Sequence, residues 1–113
     1  MKNTFKNQAA QGDCLITRVN SIPEGFEKIE VNGDDYAVAH SETGHHHVLS
    51  TRDVDFFEAA NDPFVLYIIV KNETDLRHLR SFDTHAPITI DKGIYRINKQ
   101  REYIPNGWRK AQD

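Results

Sequence analysis

Several common features are scarce in this sequence, and each shortage argues against a class of protein. The chain of 113 residues has a single cysteine, Cys14, which excludes an internal disulfide framework. Its longest apolar run, residues 64–70, is far shorter than the about 20 residues that a membrane-spanning helix needs. The N-terminus lacks the apolar segment of a secretory signal. We therefore expect a cytoplasmic protein without a membrane partner.

The charge balance is slightly acidic and argues against a nucleic-acid partner. The 17 acidic and 14 basic residues give a formal net charge of −3 at pH 7, whereas nucleic-acid binders usually carry a basic face. Hydrophobic residues make up 38% and charged residues 27% of the chain, as in an ordinary globular domain. A small-molecule ligand and a homo-oligomer both stay open.

Short apolar or alternating segments, separated by turn residues, predict an all-β fold. No stretch has the period of an amphipathic helix. About nine strands are expected, at residues 14–19, 26–31, 34–40, 45–49, 54–58, 64–70, 75–80, 88–90 and 94–103, with a short closing segment at 108–110. Turns at intervals of about 8 to 12 residues favour a small β-barrel or β-sandwich, of which a cupin-like jelly roll is one form.

The length predicts one domain. A chain of 113 residues can build one modest core but not two. Residues 1–11 are polar and without periodicity, so they are expected to be a flexible lead-in. The single β domain is expected to span residues 12–113.

Asn32 and Gly33 form a two-residue hairpin signal, because both residues tolerate the positive φ that a tight turn requires. The segments on either side would then pair directly with each other. Alternation along the returning strand puts Tyr36, Val38 and His40 on one face. The hairpin would thus present His40 at the end of that strand.

Histidines are concentrated at residues 40–47, which hold four of the six in the chain. Successive side chains of a strand point to opposite faces, so His45 and His47 would share a face while His46 points away. A glycine just before them permits a tight turn that would bring Glu42 near the same place. Two imidazoles side by side on a strand form half of a metal site.

The histidine set predicts a metal pocket. Imidazole nitrogens bind Zn, Fe, Mn and Ni, and three or four such ligands from neighbouring strands leave an open coordination position. The predicted ligands are His40, His45, His47 and His85, with Glu42 and His78 as further ligands or supporting residues. A metal with an open position activates water or holds an oxygenated ligand, for which Tyr95, Tyr103 and Arg101 are the expected contacts. The pattern does not decide between a catalytic and a binding role.

Two other functions are compatible with the same residues. A histidine-rich turn can be a solvated loop, in which case the chain is a non-catalytic binding module without metal, such as a phage accessory or assembly protein. Imidazole titrates near neutrality, so two histidines could also act without metal on a phosphodiester, as in a ribonuclease. Lys92, Arg96, Arg101 and Tyr103 would then bind the phosphate. No nucleophilic triad or glycine-rich phosphate loop is apparent.

Two segments, residues 40–47 and 85–103, resemble a family of small, functionally uncharacterised bacterial and phage proteins. The family pattern is H-G-E-x-T-G-H-x-H, followed by H-A-P-I-x-L-x-x-G-x-Y-x-V-x-x-Q-R-E-Y. Its motif positions fall on His40, Glu42, Gly44, His45, His47 and His85. Ser41 stands where the pattern has glycine, and one residue before Thr43 is missing. The resemblance implies a bacterial or phage protein with this histidine site and no established reaction.

More loosely, residues 88–97 are similar to the second half of a cupin barrel, where two strands and the turn between them border a metal pocket. The turn at residues 91–93 lacks the proline of the cupin turn, and no histidine follows it. The glutamate that cupins place after their paired histidines is also absent. The likeness concerns architecture and does not by itself imply a reaction.

Overall fold

The computed structural model describes residues 3–11, 14–40, 46–79 and 87–99, and at positions 39, 40, 46, 78 and 79 it describes the backbone alone. The described residues form ten strands: β1 (Gln8–Gln11), β2 (Cys14–Val19), β3 (Glu27–Lys28), β4 (Asp35–His40), β5 (His46–Ser50), β6 (Val54–Glu58), β7 (Val65–Val70), β8 (Thr74–Leu79), β9 (Ile88–Ile90) and β10 (Gly93–Lys99). No helix in these ranges is long and apolar enough to cross a membrane. The prediction of an all-β fold is confirmed.

The strands pair antiparallel in two sheets. The larger sheet has the order β1-β2-β10-β7-β6-β3, and the smaller sheet has the order β4-β5-β8-β9. β10 lies inside the larger sheet, where it pairs with β2 on one side and with β7 on the other. Within the described residues both orders have free ends, so the structure shows two antiparallel sheets and not a closed barrel.

One hydrophobic core holds the two sheets together. Its fully buried side chains include Phe56, Leu66, Ile68, Tyr95 and Ile97 from the larger sheet and Val38, Leu49, Leu76 and Ile90 from the smaller one. Along β10, Tyr95 and Ile97 are buried while the arginine between them is only half-buried. This alternation is expected of a strand that has one face on a core.

Most of the strands lie where the sequence predicts them. β2, β6, β7, β8 and β9 begin and end within one residue of the predicted bounds. The continuous apolar run of β7 reflects burial on both faces, because Leu66 and Ile68 face the core while Tyr67 is covered by the ring of Phe26, with centroids 4.7 Å apart. The predicted continuation to residue 103 and the segment at 108–110 lie outside the described residues.

The segment before Gly12 differs from the prediction, because the sequence analysis places no strand there. Gln8–Gln11 form β1, which pairs with β2 along its whole length. Its outward residues are exposed and polar or small, while Ala9 packs against the core and Gln11 is buried. An edge strand with only two inward positions is too short and too polar to show a period in the sequence.

The residues that precede β1 also contact the rest of the domain. The backbone nitrogen of Thr89 in β9 donates to the backbone oxygen of Asn3 at 2.9 Å. The ring of Phe5 packs edge-on against Tyr95, with centroids 5.9 Å apart. The N-terminal segment thus contacts one strand from each sheet.

Asn32 and Gly33 do not form the predicted hairpin. β3 pairs with β6 and β4 pairs with β5, so the chain changes sheet between β3 and β4. Gly33 does have a positive φ of 84°, and its backbone oxygen accepts a hydrogen bond from Thr51 Oγ1 at 2.7 Å. The turn signal therefore marks a bend, because local residues fix the direction of the chain but not the partner of the strand that follows.

Replacing Phe56 with alanine should lower the free energy of unfolding by about 3–5 kcal/mol, because apolar transfer and cavity terms add in a packed core. Phe56 is 1% exposed. The matched change Phe64→Ala, at a position 56% exposed, should cost only about 0.5 kcal/mol. Urea unfolding followed by circular dichroism measures both values. Equal losses would contradict the placement of the core.

Candidate functional site

Four histidines occupy neighbouring register positions on three adjacent strands of the smaller sheet. His40 ends β4, His46 and His47 begin β5, and His78 lies near the end of β8. In the ladders, His46 is opposite His40, and His47 is opposite His78. Residues directly opposite each other in an antiparallel ladder belong to the same face of the sheet. The backbone therefore defines two histidine pairs, His40/His46 and His47/His78.

A bulge in β4 determines how the histidines pair. Between Ala37 and Ala39 the register with β5 shifts by one residue. A bulge of this kind places an extra residue on one strand and interrupts the simple alternation of faces. Uninterrupted alternation would assign His40 to the face of Val38, whereas the register places it opposite His46. The structure thus brings His47 together with His78 in register and His40 together with His46.

Among the predicted ligands, only His47 has a described side chain, and this side chain is buried. It is 3% exposed and lies two residues before Leu49, a core residue of the same strand. Its Nδ1 is 2.8 Å from Oε1 of Gln11, which is itself 2% exposed. Nε2 of Gln11 donates to the backbone oxygen of Leu76 at 3.0 Å. These groups form a buried polar chain that runs from β5 through β1 to β8 and joins the two sheets.

Five of the predicted site residues lie outside the described residues: Glu42, His45, His85, Arg101 and Tyr103. Within the described ranges, no three His, Cys, Asp or Glu side chains are arranged to hold a metal ion. The complete metal pocket therefore stays a prediction, to which the structure adds the register of the histidines and the surroundings of His47.

Tyr95, a predicted ligand contact, is fully buried in β10. Its hydroxyl donates to the backbone oxygen of Asp91 at 2.8 Å, and the guanidinium carbon of Arg18 lies 4.9 Å from the centre of its ring. Burial raises the pKa of Tyr95 above the usual 10.0, while Arg18 opposes this increase and Asp91 adds to it. The hydroxyl of Tyr95 thus donates its hydrogen bond to the turn between β9 and β10.

Tyr36 is a partly buried tyrosine, and its contacts join the two sheets. Tyr36 in β4 donates to Oε2 of Glu58 in β6 at 3.1 Å, and its ring packs against Phe56 with centroids 4.7 Å apart. Burial raises the pKa of Tyr36, and the charge of Glu58 together with this hydrogen bond raises it further. The two tyrosines should therefore both hold their protons more firmly in the folded protein than in the unfolded chain.

Arg96, a predicted phosphate contact of a metal-free phosphodiesterase, lies on the face of the larger sheet that is turned away from the core. Its neighbours Tyr95 and Ile97 face the core and are fully buried. The Nε atom of Arg96 is buried and has no hydrogen-bond partner within the described part of the chain. Arg96 thus lies on the outer face of its sheet, and the metal-free phosphodiesterase stays a prediction.

Among the clefts that described residues line are two open ones, and no described histidine side chain lines either of them. One of about 540 Å³ is bordered by five carboxylates and two arginines: Asp34, Asp35, Asp53, Glu73, Asp75, Arg52 and Arg77. The other, of about 730 Å³, lies between the N-terminal segment and the end of β9. The described side chain of His47 is therefore not part of the lining of either cleft.

Gln11 is the residue that the sequence analysis missed. Its signal is Gly12 followed by Asp13, a dipeptide typical of two-residue hairpins. Taken as a hairpin, this dipeptide predicts a strand that ends at Gln11, opposite Cys14, as the structure has it. Alternation with the core-packed Ala9 then places Gln11 on the core side, where a polar side chain needs a partner.

The fold and the histidine register together define a class: an antiparallel β domain of two sheets, with histidines gathered on adjacent strands of the smaller sheet. The chain belongs to the family described as a domain of unknown function, DUF8820, whose model matches residues 10–100. No curated protein and no solved structure matches the chain. The family is consistent with the resemblance to uncharacterised proteins, while the motif pattern and the cupin likeness stay predictions.

We expect the free energy of unfolding to decrease as the pH rises above about 10, because the folded state retains protons that unfolded tyrosines lose. The stabilisation that the two tyrosines contribute is complete below their pKa of ~10 in the unfolded chain, and it is lost as the pH rises through their higher pKa values in the folded protein. In urea unfolding from about pH 8 to pH 11, Tyr36→Phe should show a smaller decrease than the parent. Lysines titrate in both proteins, so the difference isolates the tyrosine. An identical decrease would contradict the raised pKa of Tyr36.

Proposed function

We propose that the protein binds a divalent transition metal, Zn, Fe, Mn or Ni, at a histidine site on β5 and β8 of the smaller sheet. The observation that carries the proposal is the direct pairing of His47 with His78 in the ladder between these strands. His45 and His85 are proposed as the further ligands, and Glu42 as a residue that adjusts or completes the site.

The spacing of a directly opposite pair suits a single ion. Such residues have Cβ atoms about 4.5–5.5 Å apart. A tetrahedral metal with bonds of about 2.0–2.1 Å places two imidazole nitrogens about 3.3 Å apart. Two cross-strand histidines can therefore bind one ion without a change in the backbone.

The surroundings of His47 also suit a metal ligand. Histidine ligands hold the ion through one ring nitrogen and almost always donate the other ring N–H to an acceptor. Oxygen Oε1 of Gln11 is such an acceptor, 2.8 Å from Nδ1 of His47. Nε2 is then the nitrogen that would hold the ion. His40 belongs to the neighbouring register pair and remains a candidate ligand that the test below can place.

A metal with an open position would supply an activated water or a binding site for a small oxygenated molecule. Arg101 and Tyr103 are the proposed contacts of that molecule. Tyr95 is the third predicted contact; its hydroxyl donates to the backbone oxygen of Asp91, in the turn after Ile90, which pairs with Thr74 at the end of β8 away from His78. The role of the site, catalytic or binding, depends on which molecule the open position accepts.

Three finer expectations, on the fold, the cellular location and the origin of the protein, accompany this function. For the fold, two antiparallel sheets that share one core are compatible with a β-sandwich, of which the cupin-like jelly roll is a special case. For the location, a single buried cysteine suits the reducing cytoplasm. For the origin, the motif resemblance alone implies a bacterial or phage protein.

Protein purified without a histidine tag should contain a transition metal, and chelator-stripped protein should rebind Zn²⁺ in a calorimetric titration. His47→Ala and His78→Ala should each weaken Zn²⁺ binding by at least about tenfold, since changes to a mere outer partner of a metal ligand already cost about 10- to 100-fold. His40→Ala, measured in the same way, decides whether that residue belongs to the site.

His46→Ala is the matched control, because it removes a histidine one position away on the same strand. It should bind Zn²⁺ within about threefold of the parent, a difference of well under 1.4 kcal/mol. Stripped parent protein that does not bind Zn²⁺ would contradict the metal site and favour a binding or assembly module without metal. Loss of affinity in His46→Ala but not in His47→Ala would move the site to the other histidine pair.

A further inference from the structure

We propose that Gln11 is a positioning residue of this histidine site: its side-chain oxygen holds His47 in the tautomer that has the proton on Nδ1 and the lone pair on Nε2. The inference rests on the proposed metal site and deepens it, because it assigns the ring nitrogen that binds the ion. It also makes the site dependent on the N-terminal strand β1, which the sequence analysis does not connect with function.

The direction of each hydrogen bond follows from the backbone oxygen at the end of the polar chain. The oxygen of Leu76 can only accept, so the group of Gln11 that lies 3.0 Å from it must be the amide NH₂. The other atom of the amide, Oε1, then faces Nδ1 of His47 at 2.8 Å. An amide oxygen has no proton, so Nδ1 must donate. In the neutral ring this leaves the lone pair on Nε2.

Burial makes this arrangement selective. Gln11 is 2% exposed and His47 is 3% exposed, so bulk water does not compete for either side chain. If Nδ1–H lost its acceptor here, a buried donor would be left unsatisfied at a cost of about 1–3 kcal/mol. The opposite tautomer would place the lone pair of Nδ1 against the lone pairs of Oε1. The glutamine therefore disfavours metal binding through Nδ1 and favours it through Nε2.

The position of Gln11 is fixed by the sheet to which it belongs. Gln11 is the last residue of β1 and lies opposite Cys14, which is 1% exposed and part of the core. From this position its side chain reaches two strands of the smaller sheet, β5 through His47 and β8 through the backbone of Leu76. The same strands carry the paired histidines, so the amide connects β1 to both halves of the proposed site.

Metal binding and the packing of β1 against the smaller sheet should therefore stabilise each other. An ion on Nε2 withdraws electron density from the ring and makes Nδ1–H a stronger donor to Gln11. The two effects are linked: if the bound ion strengthens this hydrogen bond by a certain free energy, the hydrogen bond strengthens the binding of the ion by the same free energy. Zn²⁺ is thus expected to slow hydrogen exchange at the amides of β1 in the parent protein.

The tautomer is measured without metal. Long-range ¹H–¹⁵N NMR spectra of the stripped parent protein at about pH 8, above the usual imidazole pKa of ~6.5, distinguish the two neutral forms. The His47 ring is identified by the loss of its signals in His47→Ala. We expect the form protonated on Nδ1. A ring protonated on Nε2 in the folded parent overturns the inference, whatever the variants do.

The effect on the ion is measured with Gln11→Met, which keeps the length of the side chain and removes both the acceptor and the donor. Zn²⁺ affinity should fall about 10- to 100-fold, the usual effect of losing the outer hydrogen-bond partner of a histidine ligand. Zn²⁺ should then no longer slow exchange in β1. Gln8→Met is the matched control on the same strand, because Gln8 is exposed and donates to Thr17 Oγ1 at 3.0 Å, away from the histidines. It should bind Zn²⁺ like the parent.

The outcomes separate this inference from the proposed function. If the parent does not bind Zn²⁺, the metal site fails, and the positioning role fails with it. If the parent binds Zn²⁺ and Gln11→Met binds it equally well, the metal site stands and the role of Gln11 is overturned. Because Gln11→Met could also unfold, its amide NMR spectrum must retain the dispersion of the parent. The tautomer of the parent decides the inference if that variant does not fold.

Discussion

The fold depends on one requirement: buried polar atoms must find partners inside the protein. Gln11 and His47 are almost without solvent contact, and each lies on a different sheet. Apolar side chains across a core tolerate small relative displacements, whereas the two hydrogen bonds of 2.8 and 3.0 Å do not. At this corner of the domain, the side chain of Gln11 joins the two sheets through these two hydrogen bonds. It also fixes which way the imidazole of His47 turns.

The predictable part of the fold is the part that local periodicity encodes. β7 is visible as a continuous apolar run because both of its faces are covered, and β2 and β6 are visible because β-branched and aromatic residues recur along them. β1 shows no period of its own, because an exposed edge strand needs few apolar residues, so only the turn signal of Gly12 and Asp13 indicates where it ends. The turn predicted at Gly33 is present as a bend. The predicted hairpin is wrong, because the strands on either side of this bend pair with strands that are distant in sequence.

The candidate site likewise has features that the local sequence predicts and features that depend on the pairing of distant strands. The density of histidines at residues 40–47 is a local signal that directs attention to β5 without knowledge of the fold. The pairing of His47 with His78 depends on the register of two strands that are distant in sequence, and the bulge beside Val38 decides which histidine faces which. Gln11 is 36 residues away from His47, and no local pattern links the two. Chemistry is thus recognisable from residue types, whereas its geometry requires the pairing of strands.

The place of β10 has a consequence for how the protein is made. It is the last of the ten described strands in the chain, yet it lies inside the larger sheet and pairs with both β2 and β7. Among the described strands, β2 otherwise pairs with β1 and β7 with β6, so without β10 each of these two pairs would have an unpaired edge. Such edges invite association with other chains, and contacts so distant in sequence form slowly. The larger sheet can therefore be completed only after β10 has been synthesised and joins β2 to β7.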